Sequence, residues 1–152
     1  MTKAFDCALR LLSRREHSRF ELATKLSQRG FCKTEVNDVI IECQRLGLQS
    51  DERFVESFCS HRIRQGYGPL RIREELKSKQ IASELIDEAL CQEEDNWVSH
   101  ANTVWLKKYG QQDDIPFNEL LKQQRFMSYR GFPSDVIAKV FCVVRRKKTV
   151  PF

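Results

Sequence analysis

Three stretches of the chain carry one pattern. They read "ELATKLSQRGFCKTEVNDVI" from Glu21, "RIREELKSKQIASELIDEAL" from Arg71 and "KQQRFMSYRGFPSDVIAKVF" from Lys122. In each, a basic segment carries a late apolar residue: Leu26, Leu76 or Met127. Five residues on stands an apolar anchor, Phe31, Ile81 or Phe132. Five, eight and nine residues beyond the anchor the chain is apolar again: Val36, Val39 and Ile40; Ile86, Ala89 and Leu90; Ile137, Val140 and Phe141. The period is about 50 residues. A unit of that length buries too little surface to be stable alone, so neighbours must stack and share a core. The competing arrangement is one compact nine-helix bundle whose self-similarity is accidental.

The units are helical. Apolar residues recur at i, i+3, i+4 and i+7 through most of the chain, as in Phe5, Ala8, Leu9 and Leu12 or Trp97, Ala101, Val104 and Trp105. No stretch alternates long enough to predict a strand. Gly30, Gly47, Gly66, Gly110 and Gly131 each follow a periodic segment, where a helix ends in a left-handed residue. Ser18 with Glu21 forms a capping-box pattern, and Thr34, Ser50, Ser83 and Ser134 each precede a new stripe. Pro69 and Pro116 mark first turns. These signals predict nine helices, at approximately 4–14, 19–29, 34–46, 51–65, 69–79, 83–93, 96–109, 117–130 and 134–146. The expected fold is all-α: three tandem three-helix repeats spanning 1–48, 49–94 and 95–152, elongated and curved, the third ending in a basic tail.

Composition narrows the function. The chain is 41% hydrophobic and 31% charged, enough to bury a core without disorder. No apolar run approaches the roughly 20 residues of a membrane span. Asp6 and Arg10 interrupt any secretory leader, so the default compartment is the cytoplasm. The six cysteines, at 7, 32, 43, 59, 91 and 142, form no C-x-x-C pair and read as small reduced core residues. His17, His61 and His100 stand far apart, so neither a metal set nor a cofactor is expected. The net charge of +5 favours anionic partners, nucleic acid or an acidic protein surface, although many basic proteins carry such a charge for no specific reason.

The stretch "GYGPLRIREEL", 66–76, poses the one question of chemistry. A nucleotide-hydrolase loop needs G-x-x-x-x-G-K-[ST], and a dinucleotide fingerprint needs a preceding strand and a third glycine. Both are missing. A structural reading accounts for every residue: Gly66 ends one helix, Tyr67 packs over the turn, Gly68 turns the chain and Pro69 starts the next helix. Anion binding at that helix start stays open. Arg62, Arg64, Arg71, Arg73, Lys77 and Lys79 flank the turn but need not share a face. Such a cluster suits a phosphate backbone or acidic side chains, or is simply a solvated basic face. The run "RRKK", 145–148, reads as a solvated end or an auxiliary electrostatic contact. "EED", 93–95, reads as an acidic break between modules. No G-x-S-x-G, no H-E-x-x-H and no acid paired with a histidine appears, so no enzyme is expected.

"QGYGPLRIREEL", 65–76, resembles the hallmark of the bacterial RecX family, approximately K-G-x-G-P-x-x-I-x-x-E-L, through Gly66, Gly68, Pro69, Ile72, Glu75 and Leu76. "LGLQSDERFVESF", 46–58, is similar to a second family segment through Gly47, Leu48, Asp51, Glu52, Arg53 and Phe54. "SRREHSRFELATKL" looks like the family's first module, and "LKKYG" with "KQQRFMSYRGFPSDVI" like its third. The departures are Glu52, where Asp is common, and Gln65, where a basic residue is common. The resemblance implies a modulator of the RecA recombinase that lies in the groove of the RecA filament on single-stranded DNA; a monomer is the default expectation. It would suppress filament growth, ATP hydrolysis, strand exchange and the SOS co-protease activity. On that reading Arg62, Arg64, Tyr67, Arg71, Arg73 and Lys77 are the candidate contacts to RecA or DNA. The competing reading is a sequence-nonspecific DNA-binding module, since three-helix units resemble helix-turn-helix arrangements.

Overall fold

The computed structural model of the chain describes residues 2–149, of which 143–149 by backbone only. The described residues form nine α-helices and no strand: α1 Lys3–Arg14, α2 Arg19–Gln28, α3 Lys33–Arg45, α4 Asp51–Arg64, α5 Pro69–Ser78, α6 Ser83–Gln92, α7 Trp97–Tyr109, α8 Phe117–Tyr129 and α9 Ser134–Thr149. A short 3-10 turn, Glu94–Asn96, leads into α7. The side chains of the basic run 145–148 lie outside the described residues.

The repeat has a local cause. After α2, Gly30 N–H donates to the Ser27 carbonyl and Phe31 N–H to that of Leu26. After α5, Gln80 donates to Lys77 and Ile81 to Leu76; after α8, Gly131 donates to Ser128 and Phe132 to Met127. This paired closure ties the third residue beyond the helix to a carbonyl five residues back, and an apolar contact between the two accompanies it. The five-residue step from Leu26, Leu76 or Met127 to its anchor is therefore a helix-ending motif repeated three times. In the middle unit Gln80 takes the left-handed position at φ 57°, where the other two units have glycine.

Caps follow the sequence at Ser18 and Ser50, whereas α6 and α9 begin at Ser83 and Ser134 themselves, so Ala82 and Pro133 stand in the cap positions. Ser18 Oγ accepts the Glu21 N–H at 3.0 Å. Helix α3 starts at Lys33, one residue before the expected boundary, so the cap is Cys32 rather than Thr34; the Glu35 carboxylate reaches back to the Cys32 N–H at 3.4 Å.

The fold divides into two compact units. The first runs to Phe58 and takes in Leu76–Ile86; the second takes in Cys59–Glu75 and the chain from Asp87 onward. In the first, α1, α2 and α3 pack on one another around Phe5, Ala8, Leu11, Leu22, Leu26, Val39 and Ile40. In the second, α7 and α8 pack against α9. Trp105 meets Phe141 edge-on with ring centres 6.2 Å apart, and its indole N–H donates to Gln123 Oε1 at 2.7 Å. Gln123 in turn donates to Gln112 at 2.9 Å, so a buried polar pair is satisfied and pins the segment before α8. Only half of the cysteines fit the core expectation. Cys7, Cys43 and Cys59 are buried, whereas Cys91 and Cys142 are exposed on the polar sides of their helices and Cys32 is exposed at the cap of α3.

His17 is buried where α1 hands over to α2. Its Nδ1 stands 3.0 Å from the Arg15 carbonyl oxygen and its Nε2 3.0 Å from Lys25 Nζ. The lysine can only donate, so Nε2 accepts, Nδ1 holds the proton and the ring is neutral. Burial holds the imidazole below its usual value; the Arg15 carbonyl opposes this, and the Arg15 and Lys25 charges reinforce it. The unfolded chain accepts a proton that the folded site refuses, so folding loses stability as pH falls. Thermal melts are expected to show this site's full contribution above about pH 6.5 and a falling Tm below it. A His17→Asn variant should melt lower at neutral pH but with a shallower slope into acid. Parallel pH profiles for the two proteins would exclude His17 as the source.

Candidate functional site

Helix α4 ends by the paired closure described above, with Gly66 at φ 90° donating to Ile63 and Tyr67 to Arg62. Gly68 lies in the turn between α4 and α5 but does not have a positive φ, so backbone conformation is not what demands glycine there. It is needed for space. A Cβ there would stand 2.5 Å from the carbonyl carbon and oxygen of Gly131 and 2.6 Å from the Phe132 nitrogen. A Cβ on Gly131 would stand 2.7 Å from the Arg71 nitrogen. The two glycines let the start of α5 and the end of α8 touch backbone to backbone. Across that contact Gly68 N–H donates to the Arg130 carbonyl at 2.8 Å and Leu70 N–H to that of Gly131 at 3.0 Å. Pro69 has no N–H to leave over. These donors of the helix start are thus given to protein carbonyls, which also face a favourable helix-dipole arrangement, and the turn is no phosphate cradle.

The same contact organises the arginines. The guanidinium of Arg71 lies over the Tyr67 ring at 4.1 Å, that of Arg130 at 5.0 Å and that of Arg62 at 5.3 Å. Glu75 bridges two of them, accepting from Arg62 at 2.5 Å and from Arg71 at 3.2 Å. Arg130 also lies 5.3 Å from the Phe126 ring and donates to the Gln65 carbonyl at 3.2 Å. Three guanidiniums thus share one aromatic ring, and two of them share the Glu75 carboxylate. Ring stacking fixes a guanidinium plane and leaves its edge N–H groups for a planar anion.

Beside this cluster lies a hollow of about 370 Å³. Arg64, Lys107, Lys108 and Arg130 line it together with Phe126 and Val104, and no carboxylate does. Converging cations with no internal counter-charge present a site for phosphate or carboxylate groups.

The sequence-predicted residues divide accordingly. Arg62, Tyr67 and Arg71 meet, and Arg64 lines the hollow. Arg73 turns instead to Asp87, at 2.5 Å, and Lys77 is exposed outside the hollow. Ile72 and Leu76 are fully buried core residues. Asp51 accepts the first N–H of α2, from Arg19, at 2.8 Å, Arg53 pairs with Glu16 at 3.2 Å, and Phe54 is buried. These are fold-holding roles. Lys107, Lys108, Phe126 and Arg130 were not picked out from the sequence. Their only signal was membership of "LKKYG" and "RFMSYRGF", because the contact that gathers them joins residues 65 positions apart.

Comparison with known proteins matches the three-helix units of the chain. Three family models match in order: RecX first three-helix domain over residues 4–43, second over 50–90 and third over 94–141. The chain is 58% identical over 145 residues to the Regulatory protein RecX of Legionella pneumophila strain Corby, covering 95% of this chain and 97% of that protein. It is 41% identical over 133 residues to the protein of the same name from Pseudomonas putida, covering 88% of this chain and 85% of that one. Among solved structures, RecX from Lactobacillus salivarius superposes with a TM-score of 0.79 at 22% identity, covering 93% of this chain and 94% of that one. At that identity the likeness speaks for the fold. Among the described residues no helix is long and apolar enough to cross a membrane, and no group of side chains suits a metal ion.

Proposed function

This chain belongs to the RecX family, and from that premise we propose that it regulates the RecA recombinase by binding the RecA filament on single-stranded DNA. Binding would limit filament growth and with it ATP hydrolysis, strand exchange and the SOS co-protease activity, and the place of action is the cytoplasm. The relatives' shared name, regulatory protein, supports a non-catalytic role.

The observation that carries the reading is the cationic hollow. Arg64, Lys107, Lys108 and Arg130 face one space without a carboxylate, beside the stacked Arg62, Tyr67 and Arg71. That surface would meet acidic RecA side chains or DNA phosphate, with Arg73 and Lys77 as outlying contacts. Three modules, 1–48, 49–94 and 95–152, give one chain several points of attachment to a polymer, so weak contacts add through effective concentration. The same cations beside Phe126 also favour a second reading, a nonspecific DNA-binding module.

RecA's DNA-dependent ATPase separates the two. With the chain titrated from sub-stoichiometric amounts, a filament regulator inhibits at amounts well below those of RecA. A DNA competitor inhibits only near full coverage of the DNA, and its effect falls steeply with salt. No inhibition at excess would remove the regulator reading.

A further inference from the structure

The first unit holds a hollow of opposite character. It measures about 410 Å³ and lies between α1 and α3. Phe5, Val39 and Leu46 line it with apolar side chains, Glu35, Asp38 and Glu42 are its charged residues, and no cation lines it. Spacing explains the gathering: positions 35, 38, 42 and 46 fall at i, i+3, i+7 and i+11, along one face of α3 and its cap. Like charges at that spacing repel one another and weaken the helix. Two of the three have work within the fold. Glu35 accepts the Cys32 N–H and Glu42 holds Arg45 at 2.6 Å, whereas Asp38 makes no ion pair among the described residues. Leu46 is 46% exposed, and Ile41, one turn from Asp38, is 62% exposed.

These features select one kind of occupant. Three carboxylates repel a phosphate backbone, which disfavours nucleic acid. The floor is apolar, so a purely ionic partner would leave it in water. A hollow between two helices offers side chains but no strand edge, so its occupant must satisfy its own backbone, as a helix does. From position 35 to position 46 the face runs about 16 Å, the length of three helical turns. We propose that this hollow docks a cationic amphipathic helix of a partner protein. The partner's cations would face Glu35, Asp38 and Glu42, and its large apolar side chains Phe5, Val39 and Leu46. The contact is ionic at its rim and apolar at its floor, so salt weakens it without abolishing the apolar part. The inference goes beyond the regulator reading, and its test needs neither RecA nor DNA.

The probe is a synthetic helical peptide of about 18 residues, with leucines at i, i+3, i+4 and i+7 along one face and lysines flanking them. Fluorescence anisotropy of the labelled peptide against the full chain should show saturable binding that weakens with salt but persists. The same residues reordered to spread the leucines round the helix should bind about tenfold more weakly or worse. Asp38→Lys, on an exposed helical position, should keep the parent's Tm and weaken binding by about tenfold or more. Leu46→Ala should weaken it at every salt concentration. Glu88→Lys makes the same change in net charge on an exposed position outside the hollow, and should bind like the parent. A peptide that does not bind the parent overturns the proposal. So does equal binding by the Asp38→Lys and Glu88→Lys variants, or by the reordered peptide, because net charge or composition would then suffice. Self-association of the parent that Asp38→Lys abolishes would put a second copy in the hollow and overturn it as well.

Discussion

A Gly68→Ala variant is expected to melt roughly 6–12 °C below the parent, a loss of about 3 kcal/mol. The added methyl would meet the Gly131 carbonyl at 2.5 Å and the Phe132 nitrogen at 2.6 Å. All the opposing atoms are backbone, so no side chain can swing away. Relief requires parting the two segments, which breaks the Gly68-to-Arg130 and Leu70-to-Gly131 hydrogen bonds. Gly131→Ala should cost at least as much, since φ there is 101° and Arg71 backbone crowds the site. Gly47→Ala is the control. Its φ is also positive, at 73°, in the left-handed position of a helix end, but nothing lies within 4 Å of the added atom, so only about 1 kcal/mol of backbone strain is expected. Circular-dichroism melts read all three. If Gly68→Ala melts with the control, the close contact is not what the motif preserves.

Reversing charge in the hollow is expected to have the largest functional effect. An Arg64→Glu, Lys108→Glu double variant should raise the concentration that half-inhibits the RecA ATPase by about tenfold to a hundredfold, with Tm unchanged. Both residues are exposed, so the fold does not depend on them. Arg62 and Arg71 are unsuitable for the test, because each pairs with Glu75 and stacks on Tyr67. Arg73→Glu should leave inhibition nearly intact, since that side chain is turned to Asp87. Undiminished inhibition by the double variant would move the contact off this hollow.

Much of the fold was legible before any coordinates. Helix ends depend on residues within one turn, so Gly30, Gly66 and Gly131 announced theirs, and Ser18 its cap. Gln80 shows the limit of that legibility. It occupies the left-handed position without the residue that advertises it, yet the flanking Leu76 and Ile81 still reveal the unit. The stretch "GYGPLRIREEL" was read correctly as a helix stop and restart. The reason for its second glycine was not readable, because nothing within the stretch supplies it.

Local pattern therefore determined the helices, their threefold repeat, the family and the cationic character of the middle segment. The tertiary structure alone decided which cations act together. Gly68 and Gly131, 63 positions apart, admit a backbone contact that a single Cβ would forbid. That contact sets Arg130 on the Tyr67 ring beside Arg62 and Arg71 and opens the hollow to Lys107 and Lys108. It leaves Arg73, two residues from Arg71, bound to a carboxylate elsewhere. Side-chain neighbours across distant segments follow from packing, and spacing along one helix does not carry that information.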